Sequence, residues 1–483
     1  MNHPHPHDPE ASPSAGDAPP MVWTFGRADP GSCTGAQGDL RVLFDLGVHG
    51  CSLITACDAA DPVAIRAQRD ALPSSPPPRA VKTGLPRDEA AVRALADALP
   101  DEPVFVVCDP TEPADTGPVD RATLAGFRDR ILPRTDLLVV DRVTAEALGA
   151  PQAADAPETA RALRDGGAGA VYIKGDSTDS TFIQDDWQDR HNADWLTAPR
   201  RDTPSVQGAG CALSAAIAAA VARGYGLPDA LVIARAYVQH GLLRSPAGAG
   251  APTAIRLGGW PDQPAALPWL TATADAGRED WSFPACPHLP IGVYPVVDSL
   301  DWVVRLLREG VRTIQLRIKT PPTAVVIEEI RAAIRQAREY AAELYINDYW
   351  EIAVQEGAYG VHLGQEDFSS EALRAVAASG CRLGLSASSY ADLARAWTYR
   401  PSYIGIGAVF TTPSKDVDYP PLQVEGFAAL RALTPTVVVA IGGITHENAP
   451  PLIRAGAEGL AVISNITQAP DLTARLRQWR ALF

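Results

Sequence analysis

Eight short apolar runs follow one another late in the chain, at 292–298, 313–319, 344–348, 359–365, 382–386, 403–410, 436–444 and 459–466. Amphipathic helical stretches such as 328–343 and 426–433 lie between them. Strands joined through helices pair in parallel, because the helix must carry the chain back to the end where the previous strand began. About eight such units in sequence specify a closed TIM (β/α)8 barrel. A doubly wound open sheet is the competing arrangement, and the number of runs favours the barrel.

Barrel active sites form at the C-terminal ends of the strands, and here those ends are polar. Asp298 closes the first run, and Gln315, Arg317 and Lys319 the second. Asn347 and Asp348 close the third, Gln365 and Asp367 the fourth, and Ser386 the fifth. The sixth leads into Phe410-Thr-Thr-Pro-Ser-Lys415, the seventh into Gly442-Gly443, and the eighth reaches Ser464. Two acids able to hold a divalent metal, with two cations beside them, describe a site for a polyphosphate. The last two ends match the monophosphate cradle that barrels build from backbone N–H groups and a helix start. One strand-end acid alone is often a cap or an ion pair. Acids, cations and glycines on successive strand ends, in one ring, are not explained that way.

Between 21 and 245, apolar runs such as 103–108, 136–140 and 170–174 alternate with Ala-rich helical patterns, the signature of a separate α/β domain. Its sharpest motif is Gln207-Gly-Ala-Gly-Cys211-Ala-Leu-Ser214, opening a helix that runs to about Ala222. Backbone N–H groups at a helix start make an anion hole, and Gly208 and Gly210 permit the close approach. Close helix packing is the plain alternative for such glycines. Residues 246–290, rich in Pro, Gly and Ala, read as a linker; Trp260, Trp269 and Trp281 argue that it is partly packed. Residues 1–20 read as a disordered tail, whose alternating His3, His5 and His7 are solvated.

With 483 residues the chain suits two to three domains. A formal charge of −15 and a pI near 5.1 argue against a nucleic-acid surface or a polybasic membrane anchor. No apolar run is long enough to span a bilayer and no signal peptide is apparent. The 7 cysteines form no CxxC pair and read as reduced thiols, so a soluble cytoplasmic protein is expected.

At these residues the barrel resembles thiamine-phosphate synthase, across 291–483. The resemblance is carried by Tyr294-Pro-Val-Val-Asp298, Gln315-Leu-Arg-Ile-Lys319, Ile346-Asn-Asp348, Gly360-Val-His-Leu-Gly-Gln-Glu-Asp367, Gly384-Leu-Ser386, Gly405-Ile-Gly407, Thr412-Pro-Ser-Lys415 and Ala440-Ile-Gly-Gly-Ile444. It implies joining of hydroxymethylpyrimidine diphosphate to a thiazole phosphate with loss of pyrophosphate. By the family's pattern Asp348 and Asp367 would hold Mg²⁺, and Arg317, Lys319, Asn347 and Lys415 would position the diphosphate. Ser386 would lie near the reacting bridge, and Gln315, Thr412, Ser414, Gly443, Ile463 and Ser464 would hold the pyrimidine, the thiazole or its phosphate. Ile318 stands where the family usually has an acid, and Ala408 where it has proline. The related thiazole tautomerase shares the barrel but does not need the diphosphate-binding charges.

The N-terminal domain resembles the hydroxymethylpyrimidine (phosphate) kinases of the ribokinase-like fold, over 21–245. Asp29-Pro-Gly-Ser-Cys-Thr-Gly-Ala-Gln-Gly-Asp39, Val81-Lys-Thr-Gly84, Cys108-Asp-Pro110, Thr144-Ala-Glu146, Ile173-Lys-Gly175 and the Gly208–Cys211 motif fall in the family's order. The resemblance implies an ATP-dependent kinase in which Asp29 contacts the pyrimidine, Lys174 the phosphates and Glu146 the metal shell, with Cys211 as base. Val143 stands where a metal-associated asparagine is expected, Ala60 and Leu85 replace pocket residues, and Ser32 and Cys33 replace loop glycines. Two readings stay open: a working kinase feeding the synthase, or a silent module that binds ligand, supports the fold or regulates. Both resemblances imply small-molecule substrates and a homo-oligomer.

Overall fold

Leu137-Leu-Val-Val140 and Ala170-Val-Tyr-Ile173 are buried along their whole length. Strands apolar on both faces belong in the middle of a parallel sheet covered on both sides. The computed structural model describes residues 18–56, 61–86, 88–111, 119–152, 155–175, 181–201, 203, 206–245, 253–274, 281–319, 323–367, 369–412 and 419–483. Most of the expected N-terminal tail, and Ser414 and Lys415 among the expected site residues, lie outside these. The chain divides into two units, Met1–Gly277 and Arg278–Phe483.

The first unit is built on β1 (Met21–Gly26), β2 (His49–Ile54), β3 (Ala80–Thr83), β4 (Phe105–Cys108), β5 (Leu137–Val140), β6 (Ala170–Ile173), β7 (Phe182–Gln188) and β8 (Ala193–Pro199). A two-residue pair, β9 (Val206–Gln207) and β10 (Thr253–Ala254), stands apart from this sheet, and β11 (Trp269–Thr271) joins its edge. The sheet order is β11-β8-β7-β6-β5-β4-β3-β1-β2. The β1–β6 pairings are parallel, and β7, β8 and β11 pair antiparallel. The helix Ala209–Ala222 is apolar on every side and almost wholly buried, as a helix must be when covered by both a sheet and a helix. It packs against β1, β3 and β4 and against the helix Leu227–Arg244.

The second unit closes β12 (Gly292–Val297), β13 (Thr313–Leu316), β14 (Glu343–Asn347), β15 (Gly360–Leu363), β16 (Arg382–Ala387), β17 (Tyr403–Ile406), β18 (Val437–Ile441) and β19 (Gly459–Val462) into a parallel barrel in sequence order. The expected TIM barrel is therefore present. Tyr294, Tyr345 and Tyr403 fill its interior, the last two edge-to-face at 5.2 Å. Glycines make room for the rings. A Cβ at Gly360 would lie 2.4 Å from the Tyr345 ring, and one at Gly384 would lie 2.2 Å from that of Tyr403.

The stretch expected as a linker is distributed between the units. Trp260 lies against Tyr225 and beneath Arg223, and Trp269 is part of β11, edge-on to Phe182. Trp281 packs edge-on to Tyr399 of the barrel unit. Downstream of it, Cys286 approaches the Tyr345 hydroxyl (3.7 Å), and His288 Nδ1 meets buried Glu343 at 2.6 Å. Among the described residues, no helix is long and apolar enough to cross a membrane.

Candidate active sites

The strands of the barrel deliver the polar residues to one end, as the sequence implies. Past β13, Arg317 is half-buried and Lys319 exposed. Lys319 Nζ donates to Asp348 Oδ2 at 3.3 Å. Asp348 follows β14 with φ of 65°, held by its N–H to the His362 carbonyl at 3.0 Å. Asp367, in the short helix Gln365–Asp367, hydrogen-bonds Asp348. Partial loss of water and the neighbouring Asp348 raise the Asp367 pKa from its ordinary value, with the Gly364 N–H and Lys319 opposing. Burial lowers that of Arg317, and Asp348 opposes. Beside them Asn347 is 5% exposed, and its Nδ2 has no hydrogen-bond partner among the described residues. A buried amide donor left unpaired is costly and marks a place for an acceptor.

A second constellation runs beneath this one. Ser386 Oγ lies 3.0 Å from His362 Nε2, and His362 Nδ1 lies 2.8 Å from Tyr403 Oη. Tyr403 Oη lies 3.0 Å from Tyr294 Oη, which accepts from Gln315 Nε2 at 3.4 Å. Two expected site residues, Ser386 and Gln315, are thus the ends of one interior chain. His362, Tyr294 and Tyr403 were missed as participants. Their only signal in the sequence is a polar group at alternate strand positions facing a barrel interior.

The glycine cradle is formed by Gly442 and Gly443 after β18, with φ of 102° and 63°. A Cβ on Gly443 would lie 2.4 Å from the Thr411 carbonyl, so the loop carrying Thr412 lies against the glycines. Asn448 Nδ2 donates to the Gly443 carbonyl at 3.0 Å. Ile463 and Ser464 follow β19 at the start of the short helix Ser464–Thr467. Asp298 is exposed after β12, and Gln365 Nε2 donates to the Ser386 carbonyl.

In the first unit, Gly208 caps the helix Ala209–Ala222 at φ 83°, and a Cβ there would lie 1.8 Å from the Cys33 carbonyl. The Asp29 loop therefore lies directly on the start of that helix. Asp29 Oδ1 accepts from Gly31 N, and Oδ2 from Cys33 N, Thr34 N and Thr34 Oγ1. Its carboxylate is filled by its own loop, and these donors lower its pKa against the effect of burial. Lys174 Nζ reaches Asp109 Oδ1 at 3.1 Å and Thr111 Oγ1 at 2.7 Å, near Gly210. Ser214 Oγ donates to Asp109 Oδ2 at 2.9 Å. Burial alone would raise Asp109's pKa; Lys174 and Lys82 outweigh it and hold the carboxyl below its ordinary range. Glu146 is half-buried in the helix Arg142–Ala147, and its carboxylate meets none of these groups. Cys211 is half-buried; burial pushes its thiol up, Lys82 opposes, and its sulfur takes the Gly35 N–H. Sequence reasoning missed Asp109, Lys82 and Asp39 because a buried charge pair leaves no local pattern.

The family model for thiamine monophosphate synthase matches residues 293–466, and that for phosphomethylpyrimidine kinase matches 29–251. The thiamine-phosphate synthase of Serratia proteamaculans is 46% identical over 200 residues, covering 41% of this chain and 92% of that protein. That of Photorhabdus laumondii is 48% identical over 195 residues, covering 39% and 90%. Pyridoxal kinase from Staphylococcus aureus superposes with a TM-score of 0.45 at 21% identity, over 53% of this chain and 98% of that one. The chain belongs to the thiamine-phosphate synthase family through its barrel, and carries a phosphomethylpyrimidine kinase domain ahead of it in the same polypeptide.

Proposed function

We propose that the barrel joins hydroxymethylpyrimidine diphosphate to a thiazole phosphate, and that the first unit makes the diphosphate from ATP and hydroxymethylpyrimidine phosphate. The observation that carries the barrel reading is the contact of Asp348 with Asp367 beside Lys319, Arg317 and the unpartnered Asn347 amide. Among the described residues no three His, Cys, Asp or Glu side chains gather as a closed metal cage. Two carboxylates fit Mg²⁺ nonetheless, because that ion is commonly held by one or two of them together with substrate phosphates and water. When bound there, it would neutralise the diphosphate and help pyrophosphate leave.

The chain's own residues do the rest. Lys319, Arg317 and Asn347 position the diphosphate and stabilise the charge that grows on it as the C–O bond breaks; Lys415, in the loop after Thr412, belongs to the same set by the family's pattern. Removing one such preorganised group typically costs about 3 kcal/mol. Gly443, Ile463, Ser464 and Thr412 hold the thiazole phosphate, with Ser414 beside them. Gln315 and Ser386 hold the pyrimidine side, kept in place by the buried chain through His362. The thiazole nitrogen then attacks the pyrimidine methylene, a step that requires alignment more than a base.

In the first unit, the start of the helix Ala209–Ala222, with Gly208, Gly210 and Lys174, receives phosphates. Cys211 takes a proton, and Glu146 belongs to a metal shell. Asp29, saturated by its own loop, acts by shaping that loop over the anion hole. A silent kinase-type unit is the second reading, favoured by that saturation. One assay separates them: protein, Mg²⁺, thiazole phosphate and ATP, with either the pyrimidine monophosphate or its diphosphate. Thiamine phosphate from both substrates supports two active sites. Product from the diphosphate alone leaves only the synthase, and product from neither refutes the barrel reading.

A further inference from the structure

The buried hydrogen-bond chain inside the barrel has a direction. His362, in β15, reaches Ser386 of the adjacent β16 through Nε2 (3.0 Å to Oγ) and Tyr403 of β17 through Nδ1 (2.8 Å to Oη). Turning the ring over would put carbon at both places and forfeit both bonds, so its two partners fix which nitrogen lies where. Packing fixes the ring as well. It stacks on the Tyr403 ring at 5.6 Å and 20°, and a Cβ on Gly405 would lie 3.4 Å from its Cε1.

A neutral imidazole carries one N–H and one bare nitrogen, so it must give to one partner and receive from the other. Burial raises the pKa of Tyr294 and of Tyr403, so each phenol keeps its single proton. The bare imidazole nitrogen is a far stronger base than a phenol oxygen, and the phenol the stronger acid, so Tyr403 donates to Nδ1. The Tyr403 oxygen then accepts from Tyr294 Oη at 3.0 Å, and the Tyr294 oxygen accepts from Gln315 Nε2 at 3.4 Å. In this direction each proton is used once. The reverse direction would ask Tyr294 to donate to the Gln315 amide nitrogen, which has no lone pair to offer.

The consequence falls on Ser386. With the proton on Nε2, His362 donates to Ser386 Oγ, and the hydroxyl must turn its own proton elsewhere. Among the described residues Ser386 Oγ meets no other hydrogen-bond partner. We propose that His362 is a positioning residue of the synthase: held by Tyr403 as the Nε2–H tautomer, it turns Ser386 into a hydrogen-bond donor toward an acceptor atom of the pyrimidine diphosphate. This rests on the reading of the barrel as a synthase. No proton is transferred along the chain; His362 acts only by setting which way the Ser386 hydroxyl points.

The test is the imidazole nitrogen spectrum of the full chain, labelled with ¹⁵N-histidine and recorded at pH about 8.5, well above the ordinary imidazole pKa. The chain has 9 histidines, and the signals of His362 are those absent from His362→Gln. Long-range proton–nitrogen couplings distinguish the two neutral tautomers, and Nε2–H is expected. Kinetics with the pre-made diphosphate test the consequence. His362→Leu removes the donor and should lower kcat about tenfold to a hundredfold, the range seen when a partner orienting a ligating side chain is lost. His362→Gln, whose amide nitrogen can stand in for Nε2, should keep most of the parent kcat. An Nε2–H tautomer with glutamine well above leucine supports the proposal. An Nδ1–H or doubly protonated ring overturns it, as do two variants equally impaired or both unimpaired. If His362→Leu does not fold, the parent spectrum and His362→Gln decide: Nε2–H with retained kcat supports, and failure of either overturns. A parent chain that makes no thiamine phosphate refutes the synthase reading instead, and the spectrum still reports the direction of the chain.

Discussion

Asp348 holds a left-handed backbone conformation (φ 65°), which most side chains avoid and which Asp and Asn tolerate best. The position thus asks for a small polar residue on backbone grounds and for a carboxylate on chemical ones, and the two demands can be separated. Asp348→Asn should melt within about 0.5 kcal/mol of the parent, as surface substitutions do, yet lose thiamine phosphate formation by about a hundredfold or more; near-parental turnover would remove Asp348 from the diphosphate site. Asp186 tests a different balance. It is 1% exposed in β7, and burial, moderated by Gln188 Nε2 at 3.2 Å, raises its pKa from 3.8 to about 6. Between those values the folded protein binds more protons than the unfolded chain, so this group's contribution to stability falls as pH rises through the window. Asp186→Asn should therefore stabilise the first unit at pH about 7.5, by up to ~3 kcal/mol, and change little at pH about 4. Denaturant melts at the two pH values decide it, and equal shifts at both would contradict the burial argument.

At the scale of elements, helix starts and strand interiors are where one atom has the largest effect. Gly208 has both a positive φ and the Cys33 carbonyl where a Cβ would go. Gly208→Ala should push the Asp29 loop off the helix start and weaken ATP binding in a titration, while synthesis from the pre-made diphosphate continues at the parental rate. Loss of both activities together would mean that the first unit's loop supports the whole chain. Inside the barrel, Gly384→Ala drives a methyl against the Tyr403 ring, and overpacking of this kind costs about 1–3 kcal/mol. Because Tyr403 also carries the bond to His362, thermal stability and synthase turnover should fall together. A variant that loses stability alone would show that the interior chain only fills space. Here the sequence was legible for the motifs and silent on their support. Gly360-Val-His-Leu marks a strand ending in a site, but nothing local says that His362 bridges Ser386 to a tyrosine three strand-to-strand steps from Tyr294 around the ring.

For the whole molecule, the division at Gly277 and Arg278 bears on how the barrel is sustained. Trp281, Cys286 and His288 precede β12 yet pack on Tyr399, Tyr345 and Glu343 of the same unit. A chain of residues 278–483 should therefore retain synthase activity with the pre-made diphosphate, whereas one of 291–483 should melt lower, having exposed the Tyr399 face and left Glu343 without His288. Equal melting of the two would show that the segment contributes nothing to the barrel. The sequence alone determined the architecture, because strand and helix periodicity is local and eight repeats admit few closures. It also determined the chemistry of the strand ends, because acids, cations and glycines at fixed offsets from an apolar run keep those offsets however the barrel curves. Only the tertiary structure decided that Asp29 is consumed by its own loop, that Lys82 and Asp39 are paired in the interior of the first unit, and that two tyrosines and a histidine join Gln315 to Ser386. Those contacts link residues far apart in the chain. Burial, which gives them their effect by stripping away water, is a property of the packed molecule and of no segment by itself.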